Sequence, residues 1–374
     1  MKVEVNSTSF ADAVSWTTSI LSAKQLNPLL SGIKLEAKDG TLQLSTFTYE
    51  LSSRDHIEAG VDESGAAVVP GKLLADISKS LPFEKAYLQT DGSTLRITSG
   101  KSTFTLQLMP ESEYPDLPQL PPLLGRVDAP TFTQSIIQAA VAIARTDDRP
   151  VLTAVQMKFT GDTVTLSSTD RFRLSRSTFH WTPSDEALDA VALVKGTHLR
   201  DISRSLDEHQ NVNLYFDVEN PTLLGVENAG RVSTVQLIDG DFPAVDRLYA
   251  DSYPIHAVLD RQDLLDAIKR VALVAERNAP IRMVFSGQEV NLTAGAADEA
   301  SANEILDVDL DGEDITVAFN PNYLREGLSA ITEPYVRMKM TTAVKPVEFN
   351  GQQEEDSEES LAYRYLLVPM RFNS

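Results

Sequence analysis

Apolar and polar positions along this chain fall into one succession that occurs three times. Three segments, FADAVSWTTSILSAK (10–24), FTQSIIQAAVAIAR (132–145) and LDRQDLLDAIKRVALVAER (259–277), carry apolar residues at helical spacing. Phe132, Ile136, Ile137, Ala140 and Ile143 make such a stripe, as do Leu264, Leu265, Ile268 and Val271. Each segment follows a short extended stretch and predicts an amphipathic helix. Period-two alternation comes next, in IKLEAKDGTLQLST (33–46), VQMKFTGDTVTLSS (155–168) and IRMVFSGQEVNLTA (281–294). Gly40, Gly161 and Gly287 stand at the break in each, the signature of a β-hairpin. A second helix entered through a strand follows in AAVVPGKLLADISKSL (66–81), VALVKGTHLRDISRSL (191–206) and ITVAFNPNYLREGLSAI (315–331). Further strand closes each unit: STFTLQLMPESEYP (102–115), RVSTVQLIDGDFP (231–243) and LAYRYLLVPMRF (361–372).

The turn glycines recur at intervals of about 120–126 residues, the size of a compact domain. The expected fold class is therefore α+β, with three repeated domains at 1–122, 127–248 and 254–374. Each should pack two helices on antiparallel sheets. Pro-rich PDLPQLPPLLG (115–125) and DFPAVDRLYADSYP (241–254) suit extended linkers. NGQQEEDSEES (350–360) reads as a mobile, solvated loop between two strands.

Charge changes the picture. The 374 residues carry a net charge of −21, which taken alone argues against a polyanionic partner. Sorted by expected element, the balance differs. Helices placed at 8–24, 71–80, 131–145, 195–206, 261–277 and 321–330 hold twelve bases and seven acids, a net of +5. Basic helices on an acidic body suit a concave surface facing phosphates, with little aromatic or base-reading chemistry beside them. Ordinary solubilisation of helix surfaces is the plain alternative.

Little else in the chain suggests catalysis. There is no cysteine, which removes disulfides and thiol chemistry and fits a reducing cytoplasm. MKVEVNSTSF does not read as a secretory signal, and no apolar run reaches the ~18 residues of a membrane span. The sequons at Asn6 and Asn291 are taken as chance matches. No phosphate-binding loop, dinucleotide turn or HExxH motif occurs. The five histidines, His56, His180, His198, His209 and His256, lack metal-ligand spacing, and Asp147–Asp148 reads as a solvated pair. Neither a catalytic residue, a metal site nor a cofactor is expected. A hydrolase built on paired carboxylates lacks a nameable base or nucleophile, and an extracellular ligand-binding repeat protein is opposed by the basic helices.

The three-unit layout, with STDRFRL (168–174), LIDGDFP (237–243), FNPNYL (319–324) and YLLVPMRF (365–372), resembles the bacterial sliding clamp family, the beta subunit of DNA polymerase III, across essentially the whole chain. The resemblance implies a non-catalytic, ring-forming head-to-tail homodimer around duplex DNA, contacted without sequence readout. Replicative DNA polymerase III, the clamp-loader complex, other polymerases, mismatch-repair proteins and ligase are the implied partners, with no membrane. By the same resemblance a peptide-binding pocket takes Leu152, Thr169, Arg171, Phe172, Arg173, Leu174, Pro243 and Leu248 on one side. Asn320, Tyr323, Val344, Pro346, Leu366, Val368, Pro369, Met370 and Arg371 form the other, and Arg173 and Arg371 are expected to meet peptide carbonyls or acidic side chains. Lys24, Lys72, Arg145, Arg149, Lys195, Arg247 and Arg277 are implied near DNA, and Phe104, Leu106, Leu273 and Val274 at the dimer interface. Many relatives carry Gly-His where this chain has Arg171-Phe172, and the chain runs past Arg371 as Phe372-Asn373-Ser374.

Overall fold

The computed structural model describes residues 1–21, 27–146, 149–275, 279–296 and 300–371. Each repeat runs strand, helix, four strands, helix, three strands, with one extra short strand in the second and third. The helices are α1 (Ser7–Thr17), α2 (Gly71–Lys79), α3 (Ala129–Ala139), α4 (Gly196–Ser203), α5 (Arg261–Val271) and α6 (Pro321–Ala330). The α+β expectation holds, and so does the threefold order of elements.

The first helix of each repeat is shorter than its apolar stripe suggests. All three tighten into a 3-10 turn, at Thr18–Ile20, Ala140–Ala142 and Ala272–Val274, and the backbone then becomes extended at Leu21, Ile143 and Ala275. In the first two repeats the reason is packing. Leu21 and Ile143 are buried, and each lies where a side chain on the glycine opening the second helix would sit, at Gly71 and Gly196. The stripe continues in sequence, but its last apolar residue is spent beneath the neighbouring helix rather than along its own.

The hairpins form in the register the alternation predicts. Lys38 pairs with Thr41 across Asp39 and Gly40, whose φ values of +50° and +78° describe a type I′ turn. Thr160 pairs with Thr163 and Ser286 with Glu289 around Gly161 and Gly287.

The chain forms two compact units. Met1–Ala129, Thr182–Asp185 and Arg204–Leu237 make one; Pro130–Trp181, Glu186–Ser203 and Ile238–Ser374 make the other. The middle repeat thus contributes strands to both. In the first unit, Arg231–Gln236 of the middle repeat pairs antiparallel with Leu51–Glu63 of the first, Ser233 opposite Ser53. In the second, Tyr363–Leu367 of the third repeat pairs with Arg173–His180 of the middle one, Tyr365 opposite Ser175. The same two positions of the repeat meet each time: the last strand of one unit lies against the third hairpin-region strand of its neighbour. Two such strands are left at sheet edges, Ser102–Gln107 and Ala300–Asp307.

Alternation buries one face of each sheet. Val3, Phe10, Leu35, Leu44, Leu88, Ile97 and Leu106 belong to the core of the first repeat. Leu264, Met283, Phe285, Leu292, Phe319, Phe349 and Tyr365 belong to that of the third. The acidic stretch lies between two strands as expected, but its ends are not solvated. Asn350 and Gln352 are buried within strand Val347–Gln352, and Glu359 pairs with Lys339 at 3.1 Å. Residues 353–356 and Glu358, between that strand and Tyr363–Leu367, are exposed.

Gly327 sits inside α6 against the ring of the buried Tyr365. Alanine in a helix interior normally stabilises by about 1 kcal/mol relative to glycine. Here a Cβ would enter the ring, so Gly327→Ala should instead destabilise by about 1–3 kcal/mol. Urea unfolding checks the sign.

Candidate functional site

A cleft of about 220 Å³ opens in the second unit, lined by Thr169, Arg171, Arg173, Leu174, Pro243, Ala244, Val245, Arg247, Leu248, Pro346, Leu366 and Val368. Its walls come from three stretches that are distant in sequence. The first is the turn between strands Thr163–Thr169 and Arg173–His180. Asp170 Oδ1 accepts from the backbone N–H groups of Phe172 and Arg173, both at 3.1 Å. Thr169 Oγ1 donates to the Arg173 carbonyl at 2.7 Å and accepts from Arg171 N. These bonds hold Arg171 at a φ of +78°, a left-handed conformation unusual for a side chain branching from an L residue.

The second wall is the C-terminal strand Tyr363–Leu367 and the segment after it. Val368 N donates to the Phe172 carbonyl at 2.9 Å, and Met370 N to the Ala318 carbonyl at 2.7 Å. The third is the linker after the middle repeat, where Asp246–Leu248 makes one 3-10 turn. Leu174, Val245 and Leu366 form a small buried cluster of their own, with Phe242 and Tyr249 packed on it.

Charge anchors the linker. Arg176 reaches Asp246 at 2.5 Å, and the Tyr249 ring lies 3.7 Å from the Arg364 guanidinium and 5.0 Å from that of Arg176. Arg364 in turn donates to both oxygens of Glu348, at 2.7 and 3.1 Å. Glu348 is fully buried and also meets Lys339 at 3.2 Å. Burial alone would raise the Glu348 pKa, but the bonds from Arg364 and Tyr253 and the charge of Lys339 outweigh it, leaving the pKa below its ordinary value. Burial pushes the Tyr249 hydroxyl up to about 12, and it finds no hydrogen-bond partner among the described residues.

Nine of the seventeen expected pocket residues line this cleft: Thr169, Arg171, Arg173, Leu174, Pro243, Leu248, Pro346, Leu366 and Val368. The others do not. Leu152 is buried, and Phe172 and Val344 are exposed. The Asn320 side chain caps α6, accepting from Asn322 N and Tyr323 N, while Tyr323 lies 4.1 Å from the Arg173 guanidinium. Pro369, Met370 and Arg371 follow Val368 outside the lining, and Phe372-Asn373-Ser374 lie outside the described residues. Arg173 is not free to meet a ligand charge, because it is buried between Asp170 at 2.9 Å and Glu326 at 2.6 Å. Ala244, Val245 and Arg247 were not expected in the wall. An aperiodic linker offers no signal for which of its side chains turn inward.

The expected basic residues come from all three repeats. Lys24 and Arg277 lie outside the described residues. Lys72 is exposed on α2, Arg149 is exposed, Lys195 ends strand Asp189–Lys195, and Arg145 pairs with Glu326 at 2.8 Å. Arg247 stands in the cleft wall. With the observed boundaries the six α-helices hold seven bases and six acids, a net of +1 instead of +5. Of the five other bases counted on helices in the sequence, Lys195 precedes α4, Arg145 and Arg204 follow α3 and α4, and Lys24 and Arg277 lie outside the described residues. Of the expected interface residues, Leu273 is 84% exposed and Val274 half-buried. Leu106 is buried in its own repeat, and Phe104 packs on the same core, because both face inward along one strand.

Residues 1–118, 126–244 and 248–365 match the N-terminal, central and C-terminal domains of the DNA polymerase III beta subunit. The chain belongs to that family, the beta sliding clamps. It is 41% identical to the beta sliding clamp of Streptomyces coelicolor over 375 residues, covering 100% of both. The crystal structure of the Bacillus subtilis DNA polymerase sliding clamp superposes with a TM-score of 0.93 over 100% of both chains, at 21% identity. A Pseudomonas aeruginosa sliding clamp bound to griselimycin does so at 0.91, also 21% identical. The family is a non-catalytic processivity factor of DNA replication that works with DNA and polymerase. Among the described residues no helix is long and apolar enough to cross a membrane.

Replacing Glu348 by Gln removes the carboxylate partner of Arg364 and leaves Lys339 with Glu359 alone, and should cost about 3 kcal/mol near neutral pH. A carboxyl with a lowered folded pKa stabilises above its unfolded pKa and loses that contribution as pH falls through the folded value. The stability gap between wild type and Glu348→Gln should therefore close in acid. Chemical denaturation from pH 7 down to pH 3 measures it.

Proposed function

We propose that two copies of this chain close head to tail into a ring around duplex DNA, and that the cleft tethers partner proteins through short peptides. In this reading residues 1–122, 127–248 and 254–374 are the three domains of each chain. The observation that carries it is the pair of unpaired edges. Ser102–Gln107 and Ala300–Asp307 are the repeat equivalents of the strands that already pair at the two internal junctions. The register follows from matching hydrogen bonds. Met109 N, Ile238 N and Met370 N donate to Val68, Leu193 and Ala318, each three residues before a second helix. Phe104, Ser233 and Tyr365 stand five residues before those donors. Ser233 faces Ser53 and Tyr365 faces Ser175, so Phe104 should face the equivalent position, the partner subunit's Ala302.

The helices agree. Val141, in the 3-10 turn after α3, packs on the core of the third repeat, and Gln138 donates to the Ala330 carbonyl at 3.2 Å. Counting from each helix start, Leu273 is the counterpart of Val141, yet it is 84% exposed. Its missing cover would be the second helix of a partner's first repeat. Leu106 contributes through its backbone only, since its side chain is already buried.

A closed ring cannot leave circular DNA by simple dissociation, so weak phosphate contacts suffice and permit sliding. Lys24, Lys72, Arg145, Arg149, Lys195 and Arg277 are the proposed contacts; Arg247 is assigned to the cleft instead. The tethered polymerase gains a high effective concentration at the primer end. DNA polymerase III, the clamp loader, other polymerases, mismatch-repair proteins and ligase are the proposed users of the cleft, in the cytoplasm.

The chain has no cysteine, which makes the register directly testable. Directly opposed residues of antiparallel strands have Cα atoms about 4.5–5.5 Å apart, within disulfide reach. Oxidising the Phe104→Cys/Ala302→Cys variant should yield a covalent dimer on a denaturing gel, while either single variant should not. A double variant that stays monomeric would refute the register. Loaded on a nicked DNA circle, the clamp should be retained through gel filtration and released on linearisation. Equal retention on both would contradict topological binding.

A further inference from the structure

Resting on the peptide reading of the cleft, we propose that Arg171 and Arg247 make it selective for a ligand carrying a carboxylate beside its apolar anchors. Both guanidiniums belong to exposed residues of the cleft wall, and neither has an ion-pair or hydrogen-bond partner among the described residues. Three neighbouring arginines are committed. Arg173 is held by Asp170 and Glu326, Arg176 by Asp246, and Arg364 by Glu348. In a chain with 54 acidic and 33 basic residues, two unpaired cations at one apolar cleft are a local reversal of sign. An acidic peptide supplies the complement: apolar side chains over Leu174, Val245 and Leu366, and a negative group at the rim.

The backbone at Arg171 supports the assignment. A φ of +78° suits glycine and strains an arginine, and the position is held there by the Thr169 and Asp170 side chains. A fold needing only the turn would be better served by glycine. The guanidinium is what the arginine adds.

The test uses full-length protein and fluorescently labelled peptides with Leu and Phe anchors. Each remaining position is scanned as Glu and as its neutral isostere Gln, once with an amidated and once with a free C-terminus. Rim charge pairs in water contribute modestly, so at one position at least the acidic form should bind about three- to tenfold tighter, and the margin should shrink with salt. A gain from Glu in the amidated series identifies a side chain as the source; a gain from the free terminus alone identifies the peptide's end. Arg171→Gly should abolish most of the preference while raising the melting temperature, because it removes charge and backbone strain together. Arg247→Gln should lower the ratio of acidic to neutral peptide affinity. Neutral peptides that bind with no charge preference at any position would overturn this inference and leave the cleft reading standing. So would a preference that survives in Arg171→Gly/Arg247→Gln. Absence of all binding would overturn both.

Discussion

Backbone pairing between equivalent strands of neighbouring repeats is the constraint on which this molecule rests. A sheet edge exposes unpaired N–H and C=O groups, and those groups must find partners in protein or water. Here the last strand of one repeat satisfies the edge of the repeat before it, at 231–236 on 51–63 and at 363–367 on 173–180. The two junctions use the same positions but different side chains. The first is polar, with Ser52 and Thr234 in hydrogen-bond contact at 2.6 Å and Arg231 on Asp55 at 3.0 Å. The second buries Tyr363 and Tyr365, with Ser175 bonded to the Tyr363 hydroxyl at 3.2 Å. Main-chain complementarity sets the arrangement, and side chains are free to diverge around it.

The second junction also explains where the cleft lies. It opens where the turn of one repeat, the terminal strand of the next and the linker between them converge. None of these alone would make a concave apolar surface. The linker is fixed by a relay of charge and aromatic contact, Glu348 to Arg364 to Tyr249 to Arg176 to Asp246, so that Val245 and Leu248 face the cleft. A buried carboxylate in this role is costly to desolvate, and its two cationic neighbours offset that cost.

Much of the fold was legible because it repeats. Period and turn chemistry located the hairpins to the residue at Gly40, Gly161 and Gly287. Helix ends were less legible, since Leu21 and Ile143 continue the apolar stripe and only the close glycines Gly71 and Gly196 reveal that they leave it. That error carried into the charge balance, because Arg145, Lys195 and Arg204 fall outside the helices. In the cleft, residues on the paired strands were found through family resemblance. Ala244 and Val245 were not, because a linker has no period to betray which side chain turns inward. The burial of Arg173 depends on Glu326, 153 residues away, a proximity that no local pattern encodes.

The unpaired strands at 102–107 and 300–307 bear on how a closed assembly opens. Inside the chain, equivalent strand pairs are joined by covalent linkers, so a pair that separates is recaptured at once by its tethered partner. Between chains no such tether exists. Seams built on one template would thus differ sharply in lifetime, and prising by an external motor would part the hoop at the intermolecular joints while the interior ones stay shut.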